Sequence, residues 1–176
     1  MPIDIALATS SADEAQVRDR LLGLLGSYDL ARWQFTDTIR IEAGVTSHSH
    51  PILTIRSPLS DDDTLLATYL HEQLHWFTLV PANRIAVRCA EARWRELYPE
   101  VPVDYPEGCG SERSNYLHFT VCYFTHKAMI ELVGVERAQR ELERQIARPW
   151  YRFINRTVRD DFACMTTTVA ECGFTL

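Results

Sequence analysis

The sequence predicts an α+β fold, a small antiparallel sheet packed on several helices. Two β-like stretches, 33–44 and 51–57, flank a turn-rich segment and read as a hairpin. A capped, largely apolar helix follows over 61–80, and helical patterns fill most of the chain beyond residue 82. With 176 residues, no internal repeat and no dividing linker, one domain spanning 1–176 is expected.

The elements follow in order. SADEAQVRDRLLGLLG (11–26) is an amphipathic helix with Ser10 or Ser11 as its cap and two late glycines that weaken its end. In WQFTDTIRIEAG (33–44), Phe35, Ile39 and Ile41 mark a strand. After GVTSHSH, the segment PILTIRS alternates Ile52, Thr54 and Arg56 against Leu53, Ile55 and Ser57. Ser57 to Asp63 starts the next helix: Ser60 is the expected N-cap, Asp63 stands where a capping box places an acid, and three carboxylates meet the positive end of the dipole. Pro81 stops that helix. A second helix fits 82–97, a Pro- and Gly-rich loop covers 98–112, and another helix runs from about Ser114 to Leu132. The remainder, from Val135 to about Val169, is helical with a break at Pro149.

Composition narrows the function classes. Hydrophobic residues make up 46% and charged residues 24%, ordinary for a globular protein, and no apolar run spans a bilayer. The amino terminus has neither a basic start nor a sustained apolar stretch, so no secretory signal and a cytoplasmic location are expected. A net charge of −6 argues against general phosphate binding and hence against a nucleic-acid partner. Arginines recur from Arg137 through Arg140, Arg144, Arg148, Arg152 and Arg156 to Arg159, but the interleaved Glu136, Glu141, Glu143, Asp160 and Asp161 predict a salt-bridged, solvated face. The five cysteines are odd in number and scattered, which predicts free thiols, with Cys89 and Cys122 acting as small core residues.

The chemistry concentrates in His71-Glu72-Gln73-Leu74-His75. Positions four apart on a helix lie about 40° apart around the axis, so the two imidazoles can converge on one Zn²⁺. Glu72 is rotated by about 100°, from where a carboxylate can take a proton from zinc-activated water. This is the physical content of HExxH. Thr64, Ala67, Thr68 and Thr78 leave room on the histidine face, while Leu66, Leu70, Phe77 and Val80 make the far side apolar.

With these residues the chain resembles the zincin class of zinc metallopeptidases. The resemblance covers HEQLH and, more loosely, the order of elements from 33 to 80. It implies a twisted sheet whose edge strand, 51–57 here, holds an extended peptide by strand addition. It also implies a third metal ligand and an open coordination position. The pattern HExxHxxGxxH is absent, because Thr78 and Pro81 occupy the positions that would carry its glycine and histidine, and Met165 has little claim to a Met-turn role. His118, on the apolar stretch 114–124, is the chosen third ligand; its alternative role is a core histidine bonded to a backbone carbonyl. Glu91, which resembles a gluzincin ligand, Glu112 and Cys109 remain alternatives. Cys109 in EGCGS carries a weaker likeness to peptide deformylases, where the cysteine segment precedes the helix.

The expected function is therefore a zinc-dependent hydrolase acting on a peptide or protein substrate. His71, His75 and His118 would hold Zn²⁺, and Glu72 would be the catalytic base. The alternatives are a metallohydrolase of non-peptide amide or formyl groups, and a non-catalytic regulatory module with structural zinc or none. His48 and His50 in SHSHP, together with Tyr116 and His126, are weaker candidates for transition-state donors; an exposed turn for the first two and packing or surface roles for the others compete.

Overall fold

The computed structural model describes residues 3–176; those residues form an α+β arrangement of seven helices and a three-stranded sheet. The chain divides into two compact units, Met1–Phe77 and Thr78–Leu176, and the division falls inside a helix rather than at a linker.

The first unit contains β1 (Asp4–Leu7), α1 (Ala12–Ser27), β2 (Thr38–Ala43), β3 (Leu53–Ser57) and α2 (Asp62–Leu79) through Phe77. β1 lies outside the expectation, although the alternation of Ile3, Ile5 and Leu7 was its signal. Ser11 caps α1 in a full capping box with Glu14. Val17, Leu21 and Leu24, at helical spacing, are buried, as are Ile39, Ile41, Leu53 and Ile55 on β2 and β3. Each such side chain contributes about 1.5–3 kcal/mol when fully buried. Glu14 is buried among them, yet accepts from the Thr9, Ser11 and Ala43 amides and the Thr9 hydroxyl. Burial alone would raise its pKa, but those hydrogen bonds prevail and lower it.

The expected antiparallel hairpin is corrected: β1 pairs with β2, and β2 with β3, in parallel. Ile39 stands opposite Leu53 and Ala43 opposite Ser57. Residues 44–52 return along the far side of β3, where His48 and Thr54 exchange backbone bonds of 3.0 and 2.7 Å in an isolated antiparallel bridge. Alternating burial locates a strand but carries no direction, since a period of two reads the same both ways. The arm also engages the outer edge of β3, because the Arg56 amide donates to Ser47 Oγ beside the bonded Thr54 amide. The expected peptide-binding edge at 51–57 thus already has partners at both positions.

α2 begins one residue later than Ser60 would place it. The cap is Asp61, whose carboxylate accepts from the Thr64 amide at 3.0 Å and the Thr64 hydroxyl at 3.2 Å, while Ser60 donates to Asp61.

The second unit is helical: α3 (Arg84–Leu97), α4 (Glu112–Val133), α5 (Val135–Ala147), α6 (Arg152–Asp160) and α7 (Phe162–Cys172). α4 is its central element, packed on the other four and buried around most of its circumference from Asn115 to Met129. Trp94 of α3 is fully buried and donates its indole N–H to Thr120 at 3.0 Å. Gly134, at φ 84°, turns the chain from α4 into α5. The break expected at Pro149 separates α5 from α6.

Cys89 does not remain a thiol: it is bonded to Cys172, joining α3 to the end of α7. Linear spacing gave no sign of this, since 83 positions separate the two and only the packing of α3 on α7 brings them together. Disulfides persist in oxidising compartments and are rare in the cytosol, so the bond weighs against the cytoplasmic expectation. Cys109, Cys122 and Cys164 are free. Among the described residues no helix is long and apolar enough to cross a membrane.

Candidate metal centre

α2 carries His71 and His75 half-buried on one face, with ring centroids 5.1 Å apart in an edge-on arrangement. Two side chains between and beside them fix the helix to the loops of its unit. Gln73, fully buried, accepts from the Phe35 and Thr36 amides at 2.7 and 2.9 Å and donates to the Thr36 carbonyl at 2.8 Å. Trp76 donates its indole N–H to the Ser49 carbonyl at 2.8 Å and stacks on His50 at 4.4 Å. Glu72 is 6% exposed, and burial pushes its carboxyl up to about 8. Burial makes the Glu72 carboxylate a stronger base than an exposed one, and a cation held beside it would favour its ionised form, the form that can accept a proton.

His118 is buried in α4, one turn after Ser114. Its Nδ1 lies 2.7 Å from the Ser114 carbonyl and 3.2 Å from the Ser114 hydroxyl. A carbonyl can only accept, so Nδ1 carries the hydrogen. Burial holds the ring neutral, with its pKa lowered to about 4 despite the opposing bond to Ser114. Nε2 therefore carries the lone pair, the form in which a histidine ligates a metal while a carbonyl orients its other nitrogen. The two roles weighed for His118 are thus compatible, because the backbone bond is made by the nitrogen that a metal would not use.

His71, His75 and His118 each offer a ring nitrogen, and these atoms all lie within 4.8 Å of one another. Three imidazoles are a donor set suited to Zn²⁺ with one position left over. Among the described residues, Glu91, Glu112 and Cys109 do not join this group. Glu112 pairs with Arg95 at 3.7 Å, and the half-buried Glu91 offers its backbone carbonyl to Arg95 at 3.2 Å. Cys109 instead gives its thiol to Asn115 Oδ1 at 3.0 Å.

His48 is exposed and bonded to the Thr46 carbonyl, and His50 is exposed beneath Trp76. Tyr116 is buried and donates to the Tyr98 carbonyl, and His126 is buried at 5.4 Å from Phe162. Met165 is a core residue of α7. Within the arginine stripe, Arg144 and Arg148 pair with the buried Glu141, Arg156 pairs with Glu107, and Arg159 pairs with Glu143 and Asp160.

One neighbour of the site was not anticipated. Tyr151, the residue entering α6, stacks on His118 at 4.1 Å between ring centroids. Its backbone is left-handed, at φ 57°. No local pattern marks it, since it lies 33 positions from His118 and a tyrosine after Pro-Trp reads as ordinary loop. Comparison with protein-family models, with curated proteins and with solved structures found no match.

Proposed function

We propose that the chain is a zinc-dependent hydrolase of amide bonds, with peptides as its substrate class. The observation that carries this reading is the grouping of His71, His75 and His118, with Glu72 next to the first ligand in sequence. Zinc, when bound, supplies Lewis acidity, which acidifies water and polarises a carbonyl oxygen. The three histidines hold the ion as neutral donors. Glu72 takes a proton from the attacking water and delivers it to the leaving nitrogen, and its burial keeps bulk water from competing for that proton. The half-buried His71 and His75 give solvent, and hence substrate, partial access to this face of α2.

The test is elemental analysis of the purified protein beside His71→Ala and His118→Ala, followed by a quenched-fluorescence peptide assay with Glu72→Gln. The expected result is about one zinc per chain, lost in both histidine variants, with peptide turnover abolished and zinc retained in Glu72→Gln. Wild-type protein without zinc would overturn the reading. Zinc retained without turnover of any peptide would move it to a non-peptide amide or to a structural site.

A further inference from the structure

Tyr151 belongs to a hydrogen-bonded circuit that closes on His118 entirely within the second unit. His118 Nδ1 is 3.2 Å from Ser114 Oγ. The Tyr151 hydroxyl hydrogen-bonds both the Ser114 side chain and the Cys109 thiol. The thiol reaches Asn115 Oδ1 at 3.0 Å, and the Cys109 amide binds the same oxygen at 3.1 Å. Asn115 is fully buried and donates to the Pro102 carbonyl at 2.9 Å, so the far end of the circuit is anchored to the 98–111 loop.

The same loop fixes the tyrosine backbone. The amides of Tyr151, Arg152 and Phe153 donate to the carbonyls of Gly108, Pro106 and Glu107 at 3.2, 3.2 and 3.1 Å. These are the orphan donors at the start of α6, and the loop satisfies them. Arg156 of α6 pairs with Glu107 as well. At Gly108 a side chain is excluded, because a Cβ there would collide with the Pro102 and Val103 carbonyls and with Asn115 Nδ2. A non-glycine residue in the left-handed region costs about 1–3 kcal/mol and persists where its surroundings over-determine it. Here three backbone bonds, one ring stack and two hydroxyl contacts do so.

We infer that Tyr151 is a positioning residue for His118, its ring fixing the imidazole plane and its hydroxyl, through Ser114, helping to hold the hydrogen on Nδ1 so that Nε2 faces a metal. This rests on the proposed zinc site and names its support. Tyr151 touches neither substrate nor ion in this role. Partners that orient a ligating histidine change metal affinity by about 10- to 100-fold when removed.

The experiment measures zinc affinity by competition with a chromophoric chelator on the full chain, for wild type, Tyr151→Phe, Tyr151→Asn and His71→Ala. Asparagine tolerates the left-handed backbone, so Tyr151→Asn removes the ring with little backbone penalty. Circular dichroism checks that each variant is folded. We expect Tyr151→Asn to bind zinc about 10- to 100-fold more weakly and Tyr151→Phe, which keeps the stack, to recover most of that loss. In the zinc-free protein, nitrogen NMR of the His118 ring should report one Nδ1–H tautomer in wild type and a mixture in Tyr151→Asn. Wild-type affinity and a single tautomer in folded Tyr151→Asn would overturn the inference while leaving the zinc site standing, provided His71→Ala has lost zinc. If wild type itself binds no zinc, both the site and its support fall together.

Discussion

α2 and α4 both bring histidine to the candidate centre, by different physical means. On α2 the relation between His71 and His75 is a property of the helix: four residues apart, the rings meet at 5.1 Å because of the helical repeat. On α4, His118 has no such partner in sequence. Its ring is set by Ser114 one turn back and by Tyr151 at the entry to α6. A ligand pair written into periodicity is robust to its surroundings, whereas a ligand supplied singly depends on the packing that holds it. The contrast can be broken experimentally at several strengths.

The sharpest test separates chemistry from binding. Glu72→Gln should lower kcat by at least about 100-fold, up to 10⁴-fold, with zinc content unchanged. His75→Ala and His118→Ala should each lose zinc, and hence turnover. Equal zinc content in wild type and His118→Ala would mean that α4 contributes no ligand and would dissolve the comparison.

Next is the dependence of α4 on its neighbours. The Cys89–Cys172 bond ties α3 to α7, both of which pack on α4. Replacing both cysteines by alanine should cost about 4 kcal/mol through the regained entropy of an unfolded loop of this length. Urea unfolding followed by far-ultraviolet dichroism measures it, and a change below about 1 kcal/mol would show that packing alone holds these helices.

A third test uses pH on the metal-free protein. Burial lowers His126 on α4 to about 4 from an ordinary 6.5. The unfolded chain then takes up a proton that the folded chain refuses. Stability is full above pH 6.5 and is lost as pH falls toward 4, by up to about 3 kcal/mol for this one residue. His118, lowered for the same reason, adds to the loss over the same window. His126→Gln should flatten the dependence measured by thermal unfolding between pH 7 and 4; an unchanged slope would exclude His126 as its source.

The smallest effects concern how the two helices begin. Asp61→Ala should destabilise by about 1 kcal/mol through loss of the α2 cap, and Ser111→Ala should cost a similar amount at α4. Ser60→Ala should change stability by less than about 0.5 kcal/mol, since Ser60 is not the cap. A larger cost for Ser60→Ala than for Asp61→Ala would reverse the assignment.

The same contrast explains what the sequence disclosed. HEQLH, its helix, the Ser11 cap of α1 as one of two candidates, and most helix boundaries were legible because they depend on residues within one or two turns. His118 was legible in part, through the cost of a lone histidine on an apolar helix. Tyr151 was invisible, because its role arises from a left-handed residue and three bonds to a loop more than 40 positions earlier. The parallel sense of β2 and β3 was hidden for a related reason: buried Ile39, Ile41, Leu53 and Ile55 satisfy either direction, and the route of 44–52 decides. The Cys89–Cys172 pairing lay equally beyond local pattern.

That route has a consequence for how molecules meet one another. A parallel sheet ending in an open strand is a template on which a second chain can add, the first step toward domain exchange or fibre growth. On β3 the arm has taken the Thr54 and Arg56 amides, so an incoming strand would have to displace 47–49 first. At the opposite side the sheet ends in β1, which is four residues long. One border is shielded and the other is short, so self-association through this sheet is disfavoured.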